Sequence, residues 1–379
     1  MEKNKSDKLW TKDFLLIWQG QLVSLLGDAA YSVALGFWVL QVTGSTVLMG
    51  TLMAASTLPG VLVSPFAGVW LDRLNRKPLL IFMDILRGAA MLLVAIAAYT
   101  HYIQIWMVFA AGILLSICGA FFTPGVNSAI PDVVSRDKLS NANSTISAAT
   151  TGSNMLGNIA GGFLFQALGA PLLFLFDSLS FFFSGGSLCF VKLKKSQNIS
   201  QKDFFGDMKE GFRYVRNNKG LRNILLLGAI GNFFAFVGIV DFLPLFQRTP
   251  NLGAGLYGVA MASYMGGAMI GYMLFSVIKI PADKRLVVTV AANTVSCITV
   301  AVGINLNNFA VMVPFIILSG LFNAVVNVVL MTAVQATTSE SMRGKTLSLL
   351  NMITSGLTPI AMALGGVLAS VLPIRLIIS

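Results

Sequence analysis

Residues 67–88 read AGVWLDRLNRKPLLIFMDILRG, and six of them are charged: Asp72, Arg73, Arg76, Lys77, Asp84 and Arg87. The chain around them is apolar, with 56% hydrophobic and 11% charged residues, whereas a soluble domain carries about a quarter charged residues. Its apolar runs have the length of membrane-spanning helices and lie near 13–40, 47–71, 78–99, 104–127, 139–168, 171–191, 221–247, 255–279, 286–304, 309–336 and 345–370. The composition therefore predicts an all-α membrane protein with a charged loop between its second and third spans.

The positive charges are distributed unevenly between the two sides of these spans. If the chain crosses the membrane at each run, nearly all of the 26 Lys and Arg residues share the side of the N-terminus, whereas Arg248 and Arg375 fall on the other side and Arg87 within a span. An excess of Lys and Arg marks cytoplasmic segments. The pattern predicts a multi-pass protein of the plasma (inner) membrane with a cytoplasmic N-terminus, and it accounts for the net charge of +11 without a nucleic-acid partner.

The two halves of the chain share one spacing. An offset of 208 residues aligns them without gaps, and the pairs that it matches include Leu48 with Leu256, Leu139 with Leu347, Asn143 with Asn351 and Gly157 with Gly365. Such a parallel repeat predicts two six-helix bundles related by a pseudo-twofold axis, residues 1–191 and 221–379, joined by a cytoplasmic linker at 192–220. The counterpart of the sixth helix begins only near residue 379, so the second bundle is expected to have five helices and a stub, with the twelfth helix missing.

The linker combines aromatic and basic residues. Phe204, Phe205, Phe212 and Tyr214 are interspersed with several Lys and Arg residues. Two interpretations stay open: a short amphipathic helix lying on the membrane surface, or a solvated tether with some helix.

The charged loop carries a family motif. Within GVWLDRLNRKPL, the residues that match the loop between helices two and three of the major facilitator superfamily are Gly68, Asp72, Arg73, Arg76 and Lys77, with Asn75 where glycine is commoner. The stretches GQLVSLLGDAAYSVALGFWVLQVTGS (20–45), MDILRG (83–88), PDVVSRDKLSNANS (131–144) and FDSLSF (176–181) resemble the drug:proton antiporter branch that includes macrolide-efflux proteins. The resemblance implies the major facilitator fold and the transport of small molecules across the membrane.

The resemblance also implies that this loop acts in gating. In the family, a carboxylate at the position of Asp72 docks on the positive N-terminal end of helix eleven, which begins here just after Lys345, and locks one conformation. Asp84 and Arg87 are three residues apart in helix three and are expected to pair on one face, towards the bundle interior. A purely structural clamp is the alternative for these charges.

A second motif lies in the predicted fifth helix, where GNIAGG supplies Gly157, Asn158, Gly161 and Gly162. Antiporters similar to this chain have proline at the position of Asn158, where it would kink the helix. Small residues at this spacing let helices approach closely. The motif indicates an interface that slides or hinges, with ordinary glycine packing as the alternative.

Three more acids fall within predicted spans: Asp28, Asp241 and Asp177. A carboxyl group inside the membrane is a functional hypothesis by default, because it can take up and release a proton. Asp28 lies about fifteen residues into the first helix, or roughly 22 Å along it, and is the leading candidate for proton coupling. The structural alternatives are a hydrogen-bonded acid at Asp28, a pairing of Asp241 with Arg248, and an acid of the N-terminal turn at Asp177.

Polar and aromatic side chains within the spans predict a substrate cavity. The candidates are Gln21, Tyr31, Trp38, Asn127, Asn154, Asn232, Phe236, Tyr264 and Asn327. A mixed lining suits an amphiphilic organic molecule, and the absence of a basic cluster in the spans argues against a strongly anionic cargo. Packing against lipid or other helices is the alternative for each aromatic residue.

These features predict a secondary exporter of hydrophobic or amphiphilic, drug- or macrolide-like molecules that works by proton-coupled alternating access. The chain has no Gly-Lys-Ser/Thr phosphate loop, and its one histidine and three separated cysteines give no metal-binding or disulfide spacing. We therefore expect no enzyme activity, cofactor or bound metal, and we expect a monomer whose partners are a small-molecule substrate, protons and membrane lipids. The alternatives are an exporter of a siderophore, lipid or metabolite on the same fold, or a truncated membrane scaffold without transport activity.

Overall fold

The computed structural model describes residues 9–73, 75–193, 204–278, 280–281, 284–306 and 308–378. Within these residues the regular structure is helical, because a backbone in lipid must satisfy its hydrogen bonds within its own segment. The helices are α1 (Lys12–Thr43), α2 (Thr46–Ala55), α3 (Leu58–Arg73), α4 (Arg76–Tyr99), α5 (Ile105–Val133), α6 (Leu139–Leu168), α7 (Ala170–Cys189), α8 (Phe204–Asn217), α9 (Lys219–Arg248), α10 (Ala254–Val277), α11 (Arg285–Asn305), α12 (Phe309–Thr337), α13 (Glu340–Val371) and α14 (Ile374–Ile378). A 3-10 turn, Arg136–Lys138, precedes α6.

In the described part of the chain, ten helical segments are long and apolar enough to cross a membrane. They coincide with ten of the eleven predicted runs, and one of them, Thr46–Ala67, combines α2 with most of α3. The remaining run is α6, whose 30 residues have sufficient length but include many Ser, Thr and Asn side chains. The prediction of an all-α membrane protein is confirmed.

Two compact units divide the chain: residues 1–42 with 55–200, and residues 43–54 with 201–379. The first unit contains α1 and α3 to α7. The second unit contains α8 to α14 together with α2, which comes from the first half of the sequence. The predicted boundaries at residues 191 and 221 and the predicted twofold axis stay predictions.

The core of the first unit lies between α1, α4, α5 and α7. Its buried side chains include Phe14 and Ile17 of α1 and Leu80 of α4. Gly169, with a φ of 75°, lets the chain reverse between α6 and α7, and Pro171 fits the first turn of α7. These helices provide the scaffold for the charged residues described below.

Glycines determine the closest helix contacts of the second unit. Gly267 and Gly271 of α10 face the backbone of Ile317 and Leu321 on α12. Small residues four positions apart allow two helices to pack with their backbones close together. A helix of five residues, α14, follows α13, and the arrangement of five helices and a stub stays a prediction.

A similar contact explains why α2 belongs to the second unit. A Cβ atom on Gly50 would lie 2.6 Å from the carbonyl oxygen of Met362 and 2.9 Å from Cα of Gly366, so α2 and α13 approach backbone to backbone. Arg248 of α9 donates a hydrogen bond of 3.1 Å to the carbonyl of Gly44, just before α2 begins. The helix is therefore tied to both α13 and α9.

Candidate functional site

Charge inside the first unit is concentrated where α1, α4 and α7 meet. Asp84 and Arg87, one turn apart on α4, form an ion pair and are 0% and 5% exposed. The guanidinium carbon of Arg87 lies 4.2 Å from the ring centroid of Phe122 and 4.4 Å from that of Phe181. A flat, weakly hydrated guanidinium is attracted to aromatic faces. The rings of α5 and α7 therefore hold this cation in place.

Two further acids reach the same region from other helices. Asp177, on α7, is fully buried, and Asp28, on α1, is partly exposed. Asp28 interacts electrostatically with Arg87 and with Asp177. We call Asp28, Asp84, Arg87 and Asp177 the acid cluster. It combines three carboxyl groups with one guanidinium.

Close contacts between helices allow the acid cluster to form. A Cβ atom on Gly27, the neighbour of Asp28, would lie 2.8 Å from a carboxylate oxygen of Asp177, so glycine lets α1 approach α7. Ser178 Oγ donates a hydrogen bond of 2.7 Å to the carbonyl of Gly88 and ties α7 to α4. Among the described residues, neither carboxylate oxygen of Asp177 has a hydrogen-bond partner. An ionisable residue inside a membrane-spanning segment is a functional-site hypothesis by default.

Tyr31, a predicted cavity residue, adjoins the acid cluster. Its side chain is buried and interacts electrostatically with Asp177 and Asp28. Its ring centroid lies 5.8 Å from that of Phe174 on α7. Trp38, two turns further along α1, is also buried and packs edge-on against Phe174 at 6.5 Å. The Tyr31 hydroxyl has no hydrogen-bond partner among the described residues, so it lies near the acids without bonding to them. Trp38 contributes to the contact between α1 and α7.

The other cavity candidates of the first unit differ in exposure. Gln21 and Asn154 are partly buried, and Asn127 is exposed. The carbonyl of Asn154 accepts a hydrogen bond of 2.7 Å from the side chain of Asn158, one turn later on α6. The contribution of these three residues to a substrate cavity stays a prediction.

In the second unit, the candidate with a defined interhelical contact is Asn232. Its side-chain amide on α9 donates a hydrogen bond of 3.3 Å to the carbonyl of Thr354 on α13. Phe236 and Tyr264 are partly buried, and Asn327 is exposed. The structure therefore places these four residues in a different unit from Gln21 and its neighbours, and a cavity common to both sets stays a prediction.

The glycines of the predicted fifth-helix motif pack α6 directly against α1. A Cβ atom on Gly157 would lie 2.5 Å from Cβ of Ala29, and one on Gly161 would lie 2.8 Å from Cα of Ala30. Gly162 is buried as well. Since Ala29 and Ala30 directly follow Asp28, this contact fixes the part of α1 that carries the leading acid.

Gly161→Val is expected to destabilise the first unit, because the added side chain has no room against α1. Overpacking of this kind costs about 1–3 kcal/mol. The measurement is the thermal unfolding midpoint of the purified protein in detergent. Gly152→Val on the same helix is the matched control, since a Cβ atom there meets nothing within 4 Å. An equal loss in both variants would contradict the packing explanation.

The charged loop motif is described only in part. Gly68, Asp72 and Arg73 lie in the last two turns of α3. The surroundings of these three residues lie outside the described part of the structure. The eleventh span is α13, which begins at Glu340 and not just after Lys345. The docking of Asp72 on this span therefore stays a prediction.

Arg76 and Lys77 connect the start of α4 to its neighbours. Arg76 Nη1 donates a hydrogen bond of 3.2 Å to the carbonyl of Ser128 and lies 3.7 Å from the carboxylate of Asp132, both on α5. Lys77 Nζ donates a hydrogen bond of 2.7 Å to the carbonyl of Cys189, the last residue of α7. Cations are favourable there because the final carbonyls of a helix carry partial negative charge. Sequence reasoning missed Asp132 as a partner, although the motif PDVVSRDKLSNANS contains it.

Asp241 is the buried acid of the second unit. It lies on α9, is 0% exposed, and has no hydrogen-bond partner for either carboxylate oxygen among the described residues. Arg248, its predicted partner in one interpretation, is exposed and bonded to the carbonyl of Gly44. The described part of the chain contains no group of three His, Cys, Asp or Glu residues that is placed to hold a metal ion.

Comparison with known families identifies the chain. Residues 8–378 match the model of the transmembrane secretion effector family. The chain belongs to this family. The family is part of the major facilitator superfamily, so the superfamily membership implied by the charged loop motif is confirmed.

Relatives of this chain include efflux proteins. Macrolide efflux protein A of Streptococcus pyogenes is 27% identical over 269 residues, which cover 70% of this chain and 66% of that protein. Multidrug resistance protein MdtG of Escherichia coli is 28% identical over 274 residues, which cover 69% of this chain and 63% of that protein. The chain thus spans about two thirds of the length of these relatives.

A solved transporter shares the fold. The crystal structure of a bacterial homologue of the human lysosomal transporter Spinster, inward-facing and unoccupied, matches with a TM-score of 0.73. The match covers 94% of this chain and 82% of that chain at 16% sequence identity, and at such identity it establishes the fold alone. The chain therefore has the major facilitator fold, and its family consists of multi-pass membrane transporters and not of enzymes.

Proposed function

We propose that this protein exports hydrophobic or amphiphilic, drug- or macrolide-like molecules, using the proton gradient across the plasma membrane. The named functions of its relatives, macrolide efflux and multidrug resistance, support the substrate class. The observation that carries the energy source is the acid cluster, with three carboxyl groups and one guanidinium within spanning helices. In this proposal the N-terminus is cytoplasmic, as the distribution of Lys and Arg predicts.

The charges of the acid cluster support a proton-binding role. One guanidinium cannot neutralise three ionised carboxylates, and uncompensated charge inside the membrane is costly. Asp28, which is partly exposed, exchanges protons with water in this proposal. Asp177, which is fully buried, forms the inner end of the relay. Because the acids belong to α1, α4 and α7, gain or loss of a proton changes the attraction between three helices.

Alternating access is the proposed use of this change. The loop motif is assigned to gating, with Asp72 docking on the N-terminus of α13, where the helix dipole favours a carboxylate. The tight contact of Gly157 and Gly161 with α1 is assigned to an interface that slides or hinges. Release of a proton from the acid cluster is proposed to destabilise the conformation in which Asp72 is docked on α13.

A proton is sufficient as an energy source. One charge that moves down 100 mV releases about 2.3 kcal/mol, and a tenfold concentration difference requires about 1.4 kcal/mol. One proton per substrate therefore sustains roughly a 40-fold gradient. An exporter of lipophilic molecules can work against membrane leakage with a gradient of this size.

Transport by inside-out membrane vesicles tests the proposal. Acidification of the vesicle lumen is expected to drive accumulation of a lipophilic fluorescent dye, an added macrolide is expected to compete, and an uncoupler is expected to release the dye. Vesicles from cells without the protein serve as the control. Accumulation that persists with the uncoupler would exclude proton coupling, and the absence of transport for both dye and macrolide would exclude this substrate class.

A further inference from the structure

Helix α8, Phe204–Asn217, is fixed to the second unit along one side. Gly211 packs against Lys345 of α13, and Lys345 Nζ lies 2.5 Å from a carboxylate oxygen of Glu210. The backbone amide of Ser339, which precedes α13, donates a hydrogen bond of 3.2 Å to the Tyr214 hydroxyl oxygen. This bond lowers the pKa of Tyr214 from its ordinary value, because it stabilises the phenolate oxygen.

The docked side of α8 also contributes to an apolar core. Val215 is buried together with Leu221 of α9 and with Leu349 and Leu350 of α13. These contacts fix the rotation of α8 about its own axis. The direction in which its other side chains point is therefore defined.

The opposite side of α8 is exposed and basic. Phe212 is 57% exposed, and Lys209, Arg213 and Arg216 are exposed as well. At 3.6 residues per turn, these four positions fall within an arc of about 100° on the helix surface. We call them the basic arc. Glu210, the acid next to it, is already paired with Lys345.

Neighbouring residues place the membrane surface at the same level. Lys219 and Arg222, at the start of α9, are exposed. One turn later, Leu226, Leu227 and Ile230 are each about half exposed, as expected of side chains that contact lipid tails on a spanning helix. The headgroup layer therefore lies near Arg222, which follows α8 by five residues.

We propose that the basic arc of α8 binds anionic phospholipid headgroups at the membrane surface. The three cations pair with headgroup phosphates, and Phe212 enters the interfacial layer beside them, as in amphipathic helices that lie on membranes. The positive charge of the arc favours contact with anionic headgroups over contact with water alone. An exposed phenylalanine between cations fits the membrane interface, where phosphates lie above the apolar lipid tails. Lipid bound here also steadies the beginning of α13 through Tyr214 and Lys345.

The depth of a spin label at position 212 tests this binding. Phe212→Cys is introduced with Cys189→Ser and Cys297→Ser, whereas Cys118 is retained because it is buried. The nitroxide label is examined by electron paramagnetic resonance with oxygen and a nickel chelate, in phosphatidylcholine vesicles with and without phosphatidylglycerol. We expect the label at headgroup depth when phosphatidylglycerol is present, and a shift towards water at high salt, which screens the attraction.

Removal of the charges of the basic arc distinguishes lipid binding at the arc from a general attraction of the cationic protein to anionic lipid. The combined change Lys209→Gln, Arg213→Gln and Arg216→Gln is expected to reduce the preference for phosphatidylglycerol at least about tenfold, since each cation near an anionic surface contributes about fivefold. The control is Lys12→Gln, Lys192→Gln and Lys284→Gln, which removes equal charge from exposed positions elsewhere.

Three results would overturn the proposal. The label remains in water in both kinds of vesicle, or it is shielded equally with and without phosphatidylglycerol and at low and high salt. In the third, the control variant loses as much preference as the variant of the basic arc. The salt titration keeps all three cations of the basic arc, so it decides the question even if the triple variant fails to fold.

Discussion

Asp28→Asn is expected to abolish proton-driven accumulation of substrate while leaving exchange of substrate across the membrane. Asp28 is the partly exposed carboxyl of the acid cluster, whereas Asp84 and Asp177 are fully buried. An amide has nearly the same shape but cannot carry a proton at neutral pH. The ratio of substrate concentrations across the membrane is therefore expected to fall from about 40, the value that one proton at 100 mV supports, to about 1.

The measurement combines two assays on the same reconstituted protein. Uptake driven by an imposed pH gradient reports coupling, and counterflow without a gradient reports binding and exchange. Asp137→Asn is the matched control, because Asp137 is an exposed acid in the turn before α6. If Asp28→Asn supports gradient-driven uptake equal to that of the control, the role assigned to Asp28 is wrong. If counterflow is lost as well, the residue is required for binding or folding rather than for coupling alone.

Arg87→Gln is expected to cause the largest loss of stability in the first unit. The guanidinium is the cation of the acid cluster, pairs with Asp84 and lies between the rings of Phe122 and Phe181. Removal of one partner from a buried ion pair leaves the other charge uncompensated and typically costs about 3–5 kcal/mol. Arg87→Lys is expected to recover part of this loss, because it restores the charge but not the flat stacking surface.

A double-mutant cycle tests the electrostatic origin of this loss. Asp84→Asn combined with Arg87→Gln removes both charges of the pair, so the double variant is expected to unfold at a higher temperature than Arg87→Gln alone. Thermal unfolding in detergent, followed by gel filtration, provides the measurement. Additive losses in the double variant would show that packing, and not the uncompensated carboxylate, dominates.

The amino-acid sequence by itself determines which segments enter the membrane. Apolar runs of sufficient length must form helices there, whatever their neighbours are, because lipid offers no hydrogen bonds to the backbone. For this reason the eleven runs predicted from composition correspond to helices in the structure, and the motif around Asp72 indicated the correct superfamily. The spacing of Asp84 and Arg87 was equally informative, since residues three apart on a helix are neighbours in any fold.

The acid cluster was not determined in this way. Asp28, Arg87 and Asp177 are far apart in the sequence. They come together because Gly27 leaves room for α7 beside α1, and because Ser178 of α7 donates a hydrogen bond to the carbonyl of Gly88 on α4. Such contacts depend on the rotation of each helix and on the choice of its neighbours. In an apolar helix almost every face is compatible with lipid, so the hydrophobic pattern specifies neither.

The tertiary structure also decided the partners of Arg76 and Lys77 and the placement of α2. A cation at a helix start can bind any helix end within reach, and the sequence does not say which end is near. Likewise, the contact between Gly50 and Gly366 joins residues from opposite halves of the chain. Local propensity and hydrophobicity depend on residues that are near in sequence, and they determine the helices. Close packing between helices depends on residues that are distant in sequence, and it determines which side chains meet.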